Sequence, residues 1–344
     1  MYDRILFFSQ KGLFSMRFPI LLAAATLPLC AFALKSYPMP NANNDLIGRV
    51  QYVHPEQGDH IYQITRRYNV GFYEMIEANP DMNRHSKLST DETLKIPTQY
   101  VLPNVPRKGI VINLPELRLY YFNEAKHVVQ TAPIAIGRFN WKTPEMTTRV
   151  IRKQKDPVWV VPKSIKEESA RKGIHLPDVM PAGPENPLGE YMLRLGNWSY
   201  LIHGTNAPNS IGKRASSGCM RMFPESIEAL FQAVPIDTQV QIINQPIKVG
   251  WENGELYMEA HEPLHEAAMS RHEEYDYAQG VIREMTQDHP MNVNWRKVDD
   301  VIEASSGIPT LISQGKASGP TPDLERDSSL LHGEIEYTVP NDYE

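Results

Sequence analysis

The chain has 344 residues, 41% of them apolar and 22% charged, with a net charge of −6. That length leaves room for about two domains of roughly 100–200 residues each, plus appendages. No net basic field exists to gather phosphates, which argues against nucleic acid as the main partner. The 28 prolines exceed the usual share of about 5%, which favours strands and loops over helical bundles.

Residues 18–34 carry no charge, follow Arg17 and contain Ala31-Phe32-Ala33, a small–x–small pattern. This reads as a secretory signal peptide over residues 1–33, cleaved after Ala33, with Met1 or Met16 as the start. Its core is short for a spanning helix and is interrupted by Pro28. A retained anchor helix, or a lipoprotein modified on Cys30, are the other readings; Leu29 stands where a lipoprotein signal expects a small residue. Cleavage leaves Cys219 as the one cysteine of an exported chain, an unpaired thiol in an oxidising compartment.

Residues 34–48 read as a polar linker containing Pro38 and Pro40. Residues 49–97 predict strand, helix, helix and strand. Apolar positions recur at helical spacing over 61–68 and 72–78, and Asn79-Pro80 stops the second helix. After a linker at 103–108 come short strands at 109–114, 117–122, 128–136, 191–195, 200–203 and 239–244. Helices are expected at 164–172, capped by Ser164, and at 224–233, opened by Pro224. The segment 107–245 is therefore mainly β with few helices. Residues 246–314 form a C-terminal subdomain with helices near 275–285 and 298–304. Residues 315–344 hold seven acids and two bases and read as an acidic, disordered tail.

The chemistry gathers at Leu201-Ile202-His203-Gly204-Thr205 and Ala215-Ser216-Ser217-Gly218-Cys219-Met220-Arg221. A strand delivers a histidine, and a loop of small residues returns to the sole mature cysteine. A thiol nucleophile needs a base or an imidazolium beside it, and pairing with His can lower a Cys pKa to about 3–4. Small residues let backbone N–H groups approach a reacting carbonyl as an oxyanion hole. The pattern permits acyl transfer through a thioester. Arg221 can fork onto a carboxylate or sit in a structural ion pair.

The wording of these two segments resembles the signature of YkuD-type L,D-transpeptidases, in which His-Gly-Thr leads to Ser-(His or Ser)-Gly-Cys-x-Arg. The likeness extends through Ile134–Gly137 and Pro181–Gly189, and the arrangement resembles the periplasmic ErfK/YbiS/YcfS/YnhG group. It implies a YkuD-like β-sandwich, a periplasmic enzyme and a cell-wall role in which no metal or organic cofactor takes part. It also implies that Cys219 attacks the diaminopimelate carbonyl of a peptidoglycan tetrapeptide stem, releases D-Ala and passes the acyl group to an amine. His203 would move the protons, and Gly204 would orient His203 through its carbonyl. The N–H groups of Gly218 and Cys219 would hold the oxyanion, with Ser216, Ser217 and Arg221 at the substrate. Many family members have His where this chain has Ser217. The acceptor implied is a lysine at the C-terminus of an outer-membrane lipoprotein or a second diaminopimelate giving 3–3 cross-links. Carbapenem-type inhibitors would acylate the same thiol. Gly58-Asp59, Tyr68, Asn79-Pro80 and Leu94–Pro97 resemble a LysM module, which implies glycan binding by 49–97. A catalytically idle glycan-binding wall protein and a cysteine carboxypeptidase or amidase are the alternatives.

Other signals point elsewhere. His261-Glu262-Pro263-Leu264-His265 fits H-E-x-x-H, but Pro263 opposes the single helix face that a zinc site needs. A basic run from Arg149 to Lys172 reads as a solvated surface, with gathering of anionic wall polymer or a lid as its functional counterpart. Trp141, Trp159 and Trp198 read as core aromatics before groove-lining ones.

Overall fold

A computed structural model describes residues 34–314. The readings of signal peptide, Cys30 and acidic tail concern residues outside that range. No helix among the described residues is long and apolar enough to cross a membrane.

Nine strands form the main sheet. From one edge they run Lys35–Pro38, Val128–Pro133, Arg118–Asn123, Gly109–Asn113, Gln239–Ile243, Met146–Lys155, Tyr191–Leu195, Leu201–His203 and Met220–Arg221. Pairing is antiparallel except between Gly109–Asn113 and Gln239–Ile243, and between Leu201–His203 and Met220–Arg221. Met146–Lys155 joins the two halves. Its first residues pair with Gln239–Ile243 and its last with Tyr191–Leu195, with a register irregularity between Val150 and Arg152. Ile110, Ile112, Leu119, Leu193, Ile202 and Met220 make the core on one face. The linker expected at 34–48 is instead partly sheet. Lys35–Pro38 pairs with Val128–Thr131, and Leu46–Gly48 pairs with Gln99–Val101. Pairing at a sheet edge is made by main-chain groups, so polar side chains do not prevent it.

Toward the N-terminus, Gln51–Val53 and Leu94–Ile96 pair antiparallel around helices α1 (Ile61–Tyr68) and α2 (Phe72–Ala78). Ile61, Ile64, Met75, Leu94 and Ile96 close this small core, all at most 1% exposed. A buried pair ties it to the main sheet. Arg118 Nε donates to Glu74 Oε1 at 2.9 Å, and Nη2 donates to both carboxylate oxygens at 2.7 and 2.8 Å.

Helix α3 spans Lys163–Arg171 and helix α4 spans Pro224–Ala233. The expected Ser164 cap is not made. Pro162 holds the cap position and Ser164 lies inside the helix, because proline's fixed φ suits the entry to a helix. Helix α4 packs Ile227 and Leu230 into the sheet core.

The last unit is a hairpin, Ile247–Glu252 with Glu255–Ala260, extended by Thr310–Leu311 and covered by α5 (Arg271–Thr286) and α6 (Trp295–Ala304). Lys248 locks it to the rest. Its fully buried ammonium lies 2.9 Å from Glu116 and 2.7 Å from Glu259, and it donates to the Val101 carbonyl at 2.8 Å. Here the H-E-x-x-H pattern resolves. His261 follows a strand, with Nε2 2.7 Å from Glu259, while His265 lies in a short turn against Phe139. Ligand atoms of Glu116, Glu259 and His261 converge within 4.8 Å. The Lys248 ammonium already supplies the positive charge that those carboxylates need.

Candidate active site

One cleft of about 760 Å³ brings together His203, Ser216, Ser217, Cys219 and Arg221. Strand alternation explains the convergence. Ile202 points into the core, while Leu201 and His203 face the other way. Arg221 lies in register beside His203.

His203 is buried, and its Nδ1 lies 2.7 Å from the Gly204 carbonyl oxygen. A carbonyl only accepts, so Nδ1 carries the hydrogen and the neutral ring keeps Nε2 as a base. Burial, reinforced by the nearby Arg221 cation, pushes the His203 pKa down to about 3. Burial also raises the Cys219 pKa, against the lowering pull of the Leu201 backbone, Arg221 and Arg194. The resting site therefore holds a neutral thiol and a neutral imidazole. The thiolate–imidazolium pair considered from sequence is disfavoured because burial penalises both charges.

The turn before Cys219 is built from small residues for geometric reasons. Gly218 has φ +106°, and an added Cβ would stand 3.2 Å from the Tyr200 ring. Ser216 Oγ donates to the Cys219 carbonyl at 2.5 Å and accepts from the Gly218 N–H at 3.1 Å. That second bond corrects one expectation. The Gly218 N–H is used inside the turn, so it is not a free donor for an oxyanion. Ser217 Oγ accepts from Arg138 Nη2 at 3.5 Å.

Arg221 has no acidic partner within ion-pair distance among the described residues, and its Nε is buried without a hydrogen bond. Of its two expected roles, the structural ion pair is therefore not made among the described residues. Arg194 and Lys142 also line the cleft, and none of the lining residues is Asp or Glu.

Trp141, Trp159 and Trp198 all line the cleft, and Trp198 is 66% exposed. They are wall residues rather than core, because they stand on loops and a small two-stranded sheet (Trp159–Val160 with Val179–Met180) that flanks α3. The basic run divides. Lys166 pairs with Asp178, Arg149 with Asp237 and Lys172 with Glu168, a residue of α3 that Arg138, outside the run, also binds.

Two supports escaped the sequence reading. Thr143 Oγ1 donates to the Gly218 carbonyl at 2.7 Å and accepts from the Gly137 N–H at 3.0 Å. No local pattern marks Thr143, because its partner is 75 residues away. The loop joining His203 to Cys219 is also gripped by α1 and α2. Tyr73 N–H donates to the Gly212 carbonyl at 3.2 Å, and Lys213 Nζ donates to Tyr62 OH at 2.9 Å. Lys213 Nζ further lies 3.7 Å from the Phe72 ring centre. Gly212 has φ +73°, and a Cβ there would fall 2.1 Å from the Phe72 nitrogen.

The model of the YkuD family, the L,D-transpeptidase catalytic domain, matches residues 107–242. The chain is 42% identical to "Probable L,D-transpeptidase YcfS" of Escherichia coli K12, over 71% of this chain and 78% of that protein. The chain belongs to the L,D-transpeptidase family. It is also 38% identical to "Probable L,D-transpeptidase ErfK/SrfK" of Salmonella typhimurium LT2, over 82% of this chain and 92% of the relative. Among solved structures, the catalytic domain of an E. faecium L,D-transpeptidase covers 41% of this chain and 100% of that one, at 20% identity and TM-score 0.32. In this L,D-transpeptidase the family segment contains every residue of the His203–Cys219 constellation. The α1–α2 unit and the C-terminal hairpin lie outside it.

Proposed function

We propose that this L,D-transpeptidase works on peptidoglycan stems with Cys219 as nucleophile and His203 as base. The observation that carries the assignment is the His203 ring, its Nδ1 against the Gly204 carbonyl, in the same cleft as the only described cysteine; a hydrogen on Nδ1 leaves Nε2 as the base. As sulfur attacks the diaminopimelate carbonyl of a tetrapeptide stem, Nε2 takes the thiol proton. The Cys219 N–H is the donor for the oxyanion, since Gly218 is spent on Ser216. When the C–N bond breaks, His203 returns that proton to the departing D-Ala amine and a thioester remains. An acceptor amine then attacks, loses a proton to His203, and the proton goes back to sulfur. One amide is exchanged for another with no net proton change. A positioned base of this kind contributes about 10²–10⁴ in rate.

Arg221, a half-buried cation with no acidic partner among the described residues and lining the cleft with Cys219, suits a stem carboxylate. The 49–97 unit fits a LysM role, gathering glycan while gripping the catalytic loop. The acceptor favoured is a lipoprotein C-terminal lysine over a second diaminopimelate, and the compartment is the periplasm. Carbapenems are expected to acylate Cys219.

The test incubates the protein with a disaccharide-tetrapeptide and a peptide ending in lysine, with Cys219→Ala as control, and reads products by mass. A Cys219-dependent stem–lysine adduct with loss of D-Ala supports the proposal in full. A stem–stem dimer redirects the acceptor to diaminopimelate, and a tripeptide alone means water is the acceptor. No Cys219-dependent product overturns the catalytic assignment and leaves a glycan-binding scaffold.

A further inference from the structure

Beyond the thiol and imidazole, the cleft-facing side of the sheet carries a second polar feature. Arg194 and Arg152 stand directly opposite each other on Tyr191–Leu195 and Met146–Lys155. Directly opposed residues in an antiparallel pair share a face with Cβ atoms about 4.5–5.5 Å apart, and like charges placed so are destabilising. Neither guanidinium has an acidic partner within ion-pair distance among the described residues, where neighbours such as Arg149 and Lys166 do. Arg194 lines the same cleft as Cys219, and its charge is close enough to act on that thiol. It is also held in place. Nη1 donates to the Trp198 carbonyl at 2.9 Å, and the guanidinium carbon lies 5.4 Å from the Trp198 ring centre. An anchored Arg194 lining a cleft with no acid, with the exposed Arg152 cation opposite it on the next strand, is a site for an anion.

The register places the Arg194 backbone close to that of His203. His203 is opposite Met192 on the neighbouring strand, and Arg194 is two residues along from Met192 on the same face. Such diagonal neighbours are about 7–8 Å apart. The seven-carbon chain of diaminopimelate, extended, separates its two carboxyl carbons by about 7–8 Å at ordinary C–C lengths.

We propose that Arg194, with Arg152 opposite, is the specificity-determining site for the free side-chain carboxylate of the diaminopimelate residue whose main-chain carbonyl Cys219 attacks. This rests on the stem-cleaving reading above. It assigns Arg221 and the Arg194–Arg152 pair to different carboxylates of one stem, the first beside the reacting centre and the second at the far end of the side chain.

The experiment compares two disaccharide-tetrapeptides, one with the side-chain carboxylate free and one with it amidated. D-Ala release is measured on the full chain and on its Arg194→Gln and Arg152→Gln variants. The unaltered chain is expected to prefer the carboxylate by about 10- to 100-fold in kcat/KM, the range for a hydrogen bond to a charged group. The preference should lie mainly in KM. Arg194→Gln should reduce that ratio toward one, and Arg152→Gln should reduce it part-way. Equal rates on the two substrates with the unaltered chain overturn the proposal. So does an Arg194→Gln protein that slows both substrates alike, which is what a merely structural role for the Trp198 contact would produce. Arg152 is exposed and makes no ion pair among the described residues, so its variant keeps the test open if Arg194→Gln misfolds. Absence of Cys219-dependent D-Ala release from both substrates instead refutes the underlying reaction, and the proposal with it.

Discussion

Removing Glu74 should detach the α1–α2 unit from the main sheet. Arg118 is fully buried and Glu74 is 5% exposed. The guanidinium makes three bonds to that carboxylate, and the Tyr100 ring centre lies 4.2 Å from it. Glu74→Ala leaves a cation in the interior with the Thr131 hydroxyl and the Asn69 carbonyl as its remaining hydrogen-bond acceptors. Breaking a buried pair from one side costs about 3–5 kcal/mol, because the remaining charge stays desolvated and uncompensated. For a body of this size that lowers the melting temperature by on the order of 6–10 °C. Glu74→Leu combined with Arg118→Met removes both charges together and should cost less than either single alanine variant. Urea unfolding followed by tryptophan fluorescence, with calorimetry, measures all of these. Single variants within about 1 kcal/mol of the unaltered protein, or a double variant that costs the sum of the singles, would refute the desolvation argument.

Three further outcomes follow from the same structure. Alkylation of Cys219 by iodoacetamide should rise with pH through a midpoint above that of an ordinary cysteine, since burial raises its pKa; a midpoint below pH 7 would restore the thiolate–imidazolium pair. His203 and His261 should bend stability in opposite directions. The His203 pKa falls to about 3, so its contribution is present above pH 6.5 and is lost as pH drops toward 3. The His261 pKa rises to about 10, chiefly through Glu259 and Glu77 acting against burial, so its contribution is full below pH 6.5 and is lost as pH climbs to 10. Chemical denaturation across pH should find the alkaline loss reduced in His261→Gln, and an unchanged alkaline limb would contradict the assignment. Thr143→Val orphans the Gly218 carbonyl and the Gly137 N–H. Each unsatisfied group costs about 1–3 kcal/mol, and kcat for D-Ala release should fall more than KM changes; full activity with unchanged stability would show that the turn holds itself.

Much of the site could be read from the chain because its parts are local. His203-Gly204 and Ser216–Arg221 are short runs in which neighbours act on each other. Ser216 bonds the next residues of its own turn, and Gly218 meets a backbone angle that it alone relieves. Strand and helix periodicity is local too, which is why α4 lies where Pro224 and its apolar spacing place it. Three points needed the tertiary structure. Lys35–Pro38 is a strand because a distant edge offers main-chain partners to it, and no side-chain pattern announces that. Thr143, Gly212 and Arg194 matter through residues that the fold brings to them. The charge states of His203 and Cys219 turn on burial, a property of the packed molecule. Residue types in order determined which chemistry the chain carries. Desolvation and long-range register, which exist only once the sheet has closed, decided which protons are held and which cations are left unpaired.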